Sequence, residues 1–227
     1  MKTFTIGTPS KSQINTKFMM SVFEVFAELP KLGYAPSPMF MVGASNISKA
    51  RSEMLSKWYH ESTSDDDVFM FIDSDHTFTI TEIALGLQMC NDSTIACGSY
   101  INALGNNTYQ PLNVDKFLKG ECNLLKYGAT GFMIIPKRVV EKVFQWIKTN
   151  EPDKLYCKCD DNNQRCIPFF NERIEKNAGD DAIFPYDSET INLFLGEDFS
   201  FSWLVRRAGC SIKAFFSPNL THEVYQL

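Results

Sequence analysis

The chain has 227 residues, of which 44% are hydrophobic and 22% charged, ordinary values for a globular protein with a packed core. Its net charge of -5 argues against broad binding to nucleic acid, which requires a basic face. No window approaches the roughly 18 apolar residues of a membrane span, and the start lacks the apolar core of a signal peptide. These features predict a cytoplasmic protein.

Strand-like and helix-like runs alternate through the first two thirds of the chain, the pattern of βα units with a largely parallel sheet. Apolar runs predict strands at 3–7, 39–43, 68–72, 94–98, 131–135 and 211–216. Helical spacing and cap signals predict helices that begin near Asn15, Ile47, Thr79, Pro136 and Asp198. Residues 99–127 and 149–190 look irregular. We expect one α/β, Rossmann-like domain over 1–227, with a mainly parallel mixed sheet flanked by helices.

The seven cysteines are an odd number, which fits a reducing compartment better than a disulfide framework. Cys157, Cys159 and Cys166 cluster in one polar segment. A zinc site there would need a fourth ligand and usually contains paired CxxC motifs, and neither is evident. We interpret the segment as a polar loop with incidental thiols.

The strongest chemical signal is VFMFIDSDHTF, in which an apolar strand delivers Asp73 and Asp75 at its carboxyl end. Ligands of open α/β sheets bind at that edge. Carboxylates two positions apart on an extended chain point the same way, and oxygen ligands suit Mg²⁺ or Mn²⁺ bound with phosphates. Such an ion would stabilise the charge of a departing diphosphate. Acidic turns after strands are also common as simple solvated loops.

The order of several segments resembles that of GT-A-fold glycosyltransferases, in particular small members encoded by large DNA viruses and phages. The segments that carry the resemblance are TPS at 8–10, SNISKAR at 45–51, DSD at 73–75, GATGF at 128–132, GED at 196–198 and His222. The resemblance implies a nucleotide-sugar donor, expected to be a UDP-sugar, a glycan or glycoprotein acceptor, and Mn²⁺ or Mg²⁺ as cofactor. Residues 1–98 would form the nucleotide-binding half and residues 99–227 the acceptor-binding and catalytic half.

The resemblance also implies residue roles. Donor contacts are expected from Thr8, Pro9, Ser10, Asn46, Arg51, Asp73, Ser74, Thr130 and Gly131. Asp75 and His222 would bind the metal directly, and Asp73 would contact the ribose, or the metal through water. Asp198 would be the general base of an inverting enzyme, with Glu197 supporting it. In a retaining enzyme, the acid pair would merely orient the sugar.

Each of these residues also has an ordinary structural interpretation. The TPS segment can be only a turn, Arg51 only an exposed helix residue, and the glycines only backbone accommodation. Glu197 and Asp198 can simply be a favourable acidic first turn of a helix. That helix start would lower the pKa of Asp198, while the like charge of Glu197 would raise it. Tyr100, Asn102 and Tyr127 could face a sugar, although an aromatic core explains the two tyrosines equally well.

Three other classes of protein remain open on sequence grounds. A haloacid-dehalogenase-type phosphatase would use Asp73 as nucleophile and Asp75 as acid/base, with Asp180 and Asp181 as further metal ligands. Its DxD normally follows the first strand, whereas two βα units precede it here. A sugar nucleotidyltransferase would need a glycine-rich loop that TPSKSQ lacks. A non-catalytic nucleotide-sugar-binding module would not need the GED acid pair.

Overall fold

The computed structural model describes residues 1–100, 109–118, 123–158, 165–176, 192–217 and 220–222. Within these residues, one eight-stranded sheet runs through the molecule in the order β2-β1-β3-β8-β5-β13-β7-β6. Its strands are β1 (Lys2–Ser10), β2 (Tyr34–Val42), β3 (Val68–Ile72), β5 (Thr94–Ser99), β6 (Tyr109–Pro111), β7 (Leu124–Gly128), β8 (Phe132–Pro136) and β13 (Ser211–Phe216). Strands from both halves of the chain therefore share one sheet.

In the described parts of the chain, three two-stranded ladders lie outside this sheet. They pair β4 (His76–Thr77) with β14 (Thr221–His222), β9 (Cys157–Lys158) with β10 (Arg165–Cys166), and β11 (Arg173–Lys176) with β12 (Asn192–Leu195). All three are antiparallel. The β4–β14 ladder brings the last described residues of the chain to the segment that follows β3.

Helices cover both faces of the sheet, as the predicted α/β class requires. They are α1 (Thr16–Glu28), α2 (Ile47–Glu61), α3 (Ile80–Met89), α4 (Val114–Leu118), α5 (Lys137–Asn150) and α6 (Glu197–Arg207), with 3-10 turns at Leu29–Leu32 and Pro152–Lys154. Side chains of β3 alternate between the two faces. Phe69 and Phe71 pack in one core with α2, α5 and α6, whereas Met70 and Ile72 pack in the other with α1 and α3.

The α/β class and the mixed sheet flanked by helices are confirmed, and the bounds of β3 and β13 match the predicted strands. Strands β1, β2, β3, β5 and β13 share one direction, but β8 runs antiparallel between β3 and β5. The apolar pattern of β8 identifies a buried strand but does not encode its direction. The first strand is also longer than predicted, so the TPS segment is its last three residues rather than a turn.

The cysteine segment differs from its interpretation as a loop with incidental thiols. Cys166 is disulfide-bonded, whereas Cys157 is a free cysteine whose sulfur lies 3.3 Å from that of Cys166. Cys159 lies outside the described residues. Cys166 is therefore not an incidental thiol.

None of the helices in the described parts of the chain combines the length and the apolar character needed to cross a membrane.

The predicted start of α3 is confirmed as a capping box. The Thr79 hydroxyl accepts a hydrogen bond from the Thr81 N–H (3.2 Å), and the Glu82 carboxylate accepts one from the Thr79 N–H (2.8 Å). Two N–H groups that the helix leaves unpaired are thereby satisfied. Since α3 directly follows β4, this cap fixes where the chain turns away from the Asp73–Asp75 segment.

Thr79→Ala should lower the free energy of unfolding by about 1 kcal/mol, because the first turn of α3 would lose its side-chain cap. Urea unfolding followed by circular dichroism measures this change. The matched control is Thr81→Ala, which alters an exposed threonine of the same turn and should change stability by less than about 0.5 kcal/mol. Equal effects of the two substitutions would contradict the assignment of Thr79 as the cap.

Candidate active site

Strand register brings three of the sequence motifs, TPS, DSD and GATGF, to one edge of the sheet. Gly7 pairs with Phe71, so the TPS residues lie beside the chain as it leaves β3. Ile72 pairs with Phe132 in the antiparallel β8, and the Asp73 N–H donates to the Gly131 carbonyl (3.2 Å). Because β8 runs antiparallel, its beginning, and not its end, reaches this edge. The GATGF segment therefore adjoins the DSD segment.

One buried guanidinium links these motifs to the GED segment. Arg51 donates to Asp73 (2.9 Å), to Glu197 (3.0 Å) and to Asp198 (2.9 Å), and its side chain is only 4% exposed. The three carboxylates are each about one quarter to one third exposed (33%, 24% and 25%). Arg51 thus forms the inner wall of a partly open acidic cluster.

The sequence of α2 explains why Arg51 is buried. Asn46 caps the helix by accepting from the Lys49 N–H (2.9 Å), which sets its start. The neighbouring serines face a second segment of the chain, because Ser52 accepts from the Phe170 N–H and Ser56 accepts from the Ile167 N–H. Residues 167–170 therefore cover the part of α2 that adjoins Arg51, and the buried guanidinium requires carboxylate partners.

The electrostatics of the cluster follow from burial and charge. Burial alone would lower the pKa of Arg51, but the charges of Asp73, Asp198 and Glu197 outweigh it and raise that pKa. Burial raises the pKa of Asp198, although the charge of Arg51 and a hydrogen bond from the Thr130 hydroxyl (2.5 Å) act in the opposite direction. Desolvation, which the sequence does not reveal, therefore outweighs the lowering expected from the helix start alone.

A group of side chains that could hold a metal ion lies beside this cluster. Asp73, Asp75 and His76 each offer a ligand atom, and these atoms lie within 4.8 Å of one another. Their oxygen-rich donor set suits Mg²⁺ or Mn²⁺. The four described carboxylates of the region outnumber Arg51, which hydrogen-bonds three of them. The residues present therefore fit a divalent cation.

A cleft of about 460 Å³ opens at the same edge, within the size range of small-molecule sites. The residues that line it are Pro9, Ser10, Lys11, Ser12, Gln13, Ile47, Arg51, Asp73, Ser74 and Asp75. The Ser10 hydroxyl donates to the Gln13 carbonyl (2.7 Å), which folds the chain after β1 into one wall of the cleft. Carboxylates thus line one side of the cleft, and the polar segment 10–13 lines another.

Of the predicted donor contacts, Pro9, Ser10, Arg51, Asp73 and Ser74 line the cleft. The remaining four do not line it: Thr8 and Thr130 are fully buried, Asn46 caps α2, and Gly131 is buried in the backbone next to Asp73. Thr130 acts on the site through its hydrogen bond to Asp198.

The predicted metal ligand His222 is described only in its backbone, which pairs with His76 in the β4–β14 ladder. Its metal-binding role stays a prediction. Asp180 and Asp181, which the phosphatase alternative would require, lie outside the described residues. Tyr100 and Tyr127 are both buried, as the core interpretation expects.

Sequence reasoning missed two features of the site. His76 directly follows the DSD motif, and its position in VFMFIDSDHTF was the available signal. Lys11, Ser12 and Gln13 continue the TPS segment into the cleft. Their proximity to Asp73 follows from the register of β1 with β3, which no local pattern in the sequence encodes.

No family model matches the sequence, and no curated protein matches it either. Among solved structures, the chain is similar to a glycosyltransferase involved in the glycosylation of the major capsid of PBCV-1. The two are 12% identical, the similarity covers 66% of this chain and 68% of that one, and the TM-score is 0.36. The function is therefore inferred from the residues of the cleft.

Arg51→Met should destabilise the protein by about 3–5 kcal/mol, because it removes the only cation that hydrogen-bonds three clustered carboxylates in the described structure. Urea unfolding at neutral pH measures the loss. The matched control is Arg138→Met, since Arg138 is 45% exposed and pairs with exposed aspartates. That substitution should cost less than about 1 kcal/mol. Similar losses of stability in the two variants would show that Arg51 contributes no more to stability than an exposed arginine does.

Proposed function

We propose that this protein is a metal-dependent glycosyltransferase that moves a sugar from a nucleotide-sugar donor, expected to be a UDP-sugar, to a hydroxyl group of a glycan or glycoprotein. One observation carries the proposal. At a single edge of the sheet, the guanidinium of Arg51 joins Asp73, which with Asp75 could hold a metal ion, to a second acid pair, Glu197 and Asp198. Glycosyl transfer needs charge stabilisation at the leaving diphosphate and a base at the acceptor.

The donor would lie in the cleft with its diphosphate toward Asp75 and its nucleoside toward residues 9–13. Mn²⁺ or Mg²⁺, when bound by Asp75 and His222 with Asp73 nearby, supplies positive charge that stabilises the departing diphosphate. Arg51 is already hydrogen-bonded to three carboxylates, so its contribution is to hold those carboxylates in place. Lys11 lines the cleft and is a cation that can face the donor.

The acceptor step would use Asp198. Its carboxylate takes the proton of the acceptor hydroxyl as the new bond to the anomeric carbon forms and the bond to the diphosphate oxygen breaks. Thr130 and Arg51 hold the carboxylate by hydrogen bonds. A pKa raised by burial makes Asp198 a stronger base than an ordinary aspartate. In-line displacement of this kind inverts the anomeric configuration.

The phosphatase alternative fits the described structure less well. The DxD segment follows β3, whereas that class normally places it after the first strand. Asp198 and Glu197 would have no role in that mechanism, yet they share the same guanidinium as Asp73.

Asp75→Ala should abolish metal-dependent donor binding, because the diphosphate would lose the cation that balances its charge. The wild-type protein, incubated with Mn²⁺ and a panel of nucleotide sugars, should slowly hydrolyse one donor, and the variant or added EDTA should stop this. Asp66→Ala, which alters an exposed aspartate of the loop before β3, is the control and should behave as wild type. Donor affinity that persists unchanged in EDTA would rule out the metal-dependent mechanism.

Asp198→Asn should lower turnover by about 10² to 10⁴, the usual contribution of a positioned base, while donor affinity largely remains. The amide keeps an oxygen that can accept from Arg51 and Thr130, so the geometry should survive. Single-turnover kinetics measure the loss, and NMR of the product gives its anomeric configuration. Asp153→Asn, at an exposed site away from the cleft, is the control. A retained configuration together with near-normal turnover of Asp198→Asn would remove Asp198 from the mechanism.

A further inference from the structure

The imidazole of His76 is fully buried, although the preceding residue, Asp75, lines the cleft. Its Nδ1 atom lies 2.9 Å from the Oδ1 atom of Asp75, whose side chain is 34% exposed and lines the cleft. Because an ionised carboxylate can only accept, the Nδ1 atom must carry the hydrogen and donate it. The hydrogen bond therefore fixes both the tautomer of His76 and the orientation of the Asp75 carboxylate.

The imidazole is itself held from two sides. Its ring packs edge-to-face against Tyr100, with centroids 4.3 Å apart and planes at 83°. Its backbone N–H donates to the Asp73 carbonyl (3.2 Å), and its strand pairs with β14. A side chain fixed in both ring and backbone can hold a hydrogen-bonded neighbour in one rotamer, whereas a mobile side chain would let that neighbour rotate.

Tyr100, which packs against His76, also packs closely against Gly131. A Cβ atom at Gly131 would lie 1.8 Å from the Tyr100 hydroxyl oxygen, so only glycine permits this close packing. The Gly131 carbonyl in turn accepts from the Asp73 N–H. Asp73 and Asp75 are thus both connected to the packed unit of His76, Tyr100 and Gly131.

We propose that His76 is a positioning residue of the metal site, whose Nδ1–H holds the Asp75 carboxylate in the orientation that binds the divalent cation. The inference rests on the proposed function, since it assumes that Asp75 is a metal ligand. Hydrogen-bond partners of ligating carboxylates typically change metal affinity by about 10- to 100-fold when they are removed. Since its Nδ1 atom is engaged by Asp75, the role assigned to His76 is to hold that carboxylate, and direct coordination through Nε2 is the alternative that the test distinguishes.

The test compares His76→Asn with His76→Gln. The amide nitrogen of asparagine can take the place of Nδ1, whereas that of glutamine reaches the place of Nε2, so both variants keep a buried polar group but only one keeps the donor. Titration of Mn²⁺ followed by electron paramagnetic resonance should give an affinity within about threefold of wild type for Asn and about 10- to 100-fold weaker for Gln. His76→Leu should be as weak as Gln, and the exposed His60→Gln should bind as wild type.

The outcomes separate this inference from the proposed function. A wild-type protein that does not bind Mn²⁺ would overturn the metal-dependent mechanism and the inference with it. Wild-type binding that is unchanged in the Gln and Leu variants would overturn the inference alone, as would an Asn variant as weak as Gln. A nitrogen coupling to Mn²⁺ in spin-echo spectra that disappears in His76→Asn would also overturn it, because it would mean direct ligation. Thermal unfolding without metal shows which variants are folded.

Discussion

The burial of Arg51 among three carboxylates is the constraint on which the rest of the site depends. A guanidinium removed from water is tolerated only where acceptors surround it, and here they come from the ends of β3 and β12. The interaction is reciprocal. Asp73, Glu197 and Asp198 could not lie so close together without a cation between them. A charge that looks like an ordinary surface arginine in the sequence therefore holds the two acid pairs at one edge.

The antiparallel direction of β8 determines which residues lie at that edge. In a fully parallel sheet, only the carboxyl ends of strands meet at the ligand-binding edge. Because β8 runs in the opposite direction, its start lies at this edge, together with Thr130 and Gly131, which directly precede the strand. Thr130 supplies a hydroxyl to Asp198, and Gly131 supplies a carbonyl to Asp73. The residues at the start of β8 thus provide a second link between the two acid pairs, in addition to Arg51. This link uses uncharged groups, the Thr130 hydroxyl and the Gly131 carbonyl.

Local patterns in the sequence were sufficient to predict many of the strands and helix starts. The apolar runs of β3 and β13, the capping box of α3 and the Asn15 cap of α1 are encoded within a few residues each. Direction and register depend on partners far away along the chain, so the reversal of β8 and the extension of β1 to Ser10 were not predicted. The same holds for the site. DSD and GED are readable as acidic motifs, but the role of Arg51 depends on charges more than 140 positions away, and that of His76 on its burial.

The sequence separation within the Arg51 cluster has a consequence for biosynthesis. Arg51 and Asp73 emerge early from the ribosome, whereas Glu197 and Asp198 follow 146 and 147 residues after Arg51. Chains are made from the amino terminus at about 5–20 residues per second, so a nascent chain holds the arginine for several seconds before two of its three acidic partners exist. During that interval α2 cannot bury Arg51 without a large penalty. The first βα units should therefore stay loosely docked until α6 arrives, and the cleft would be among the last parts of the protein to become ordered.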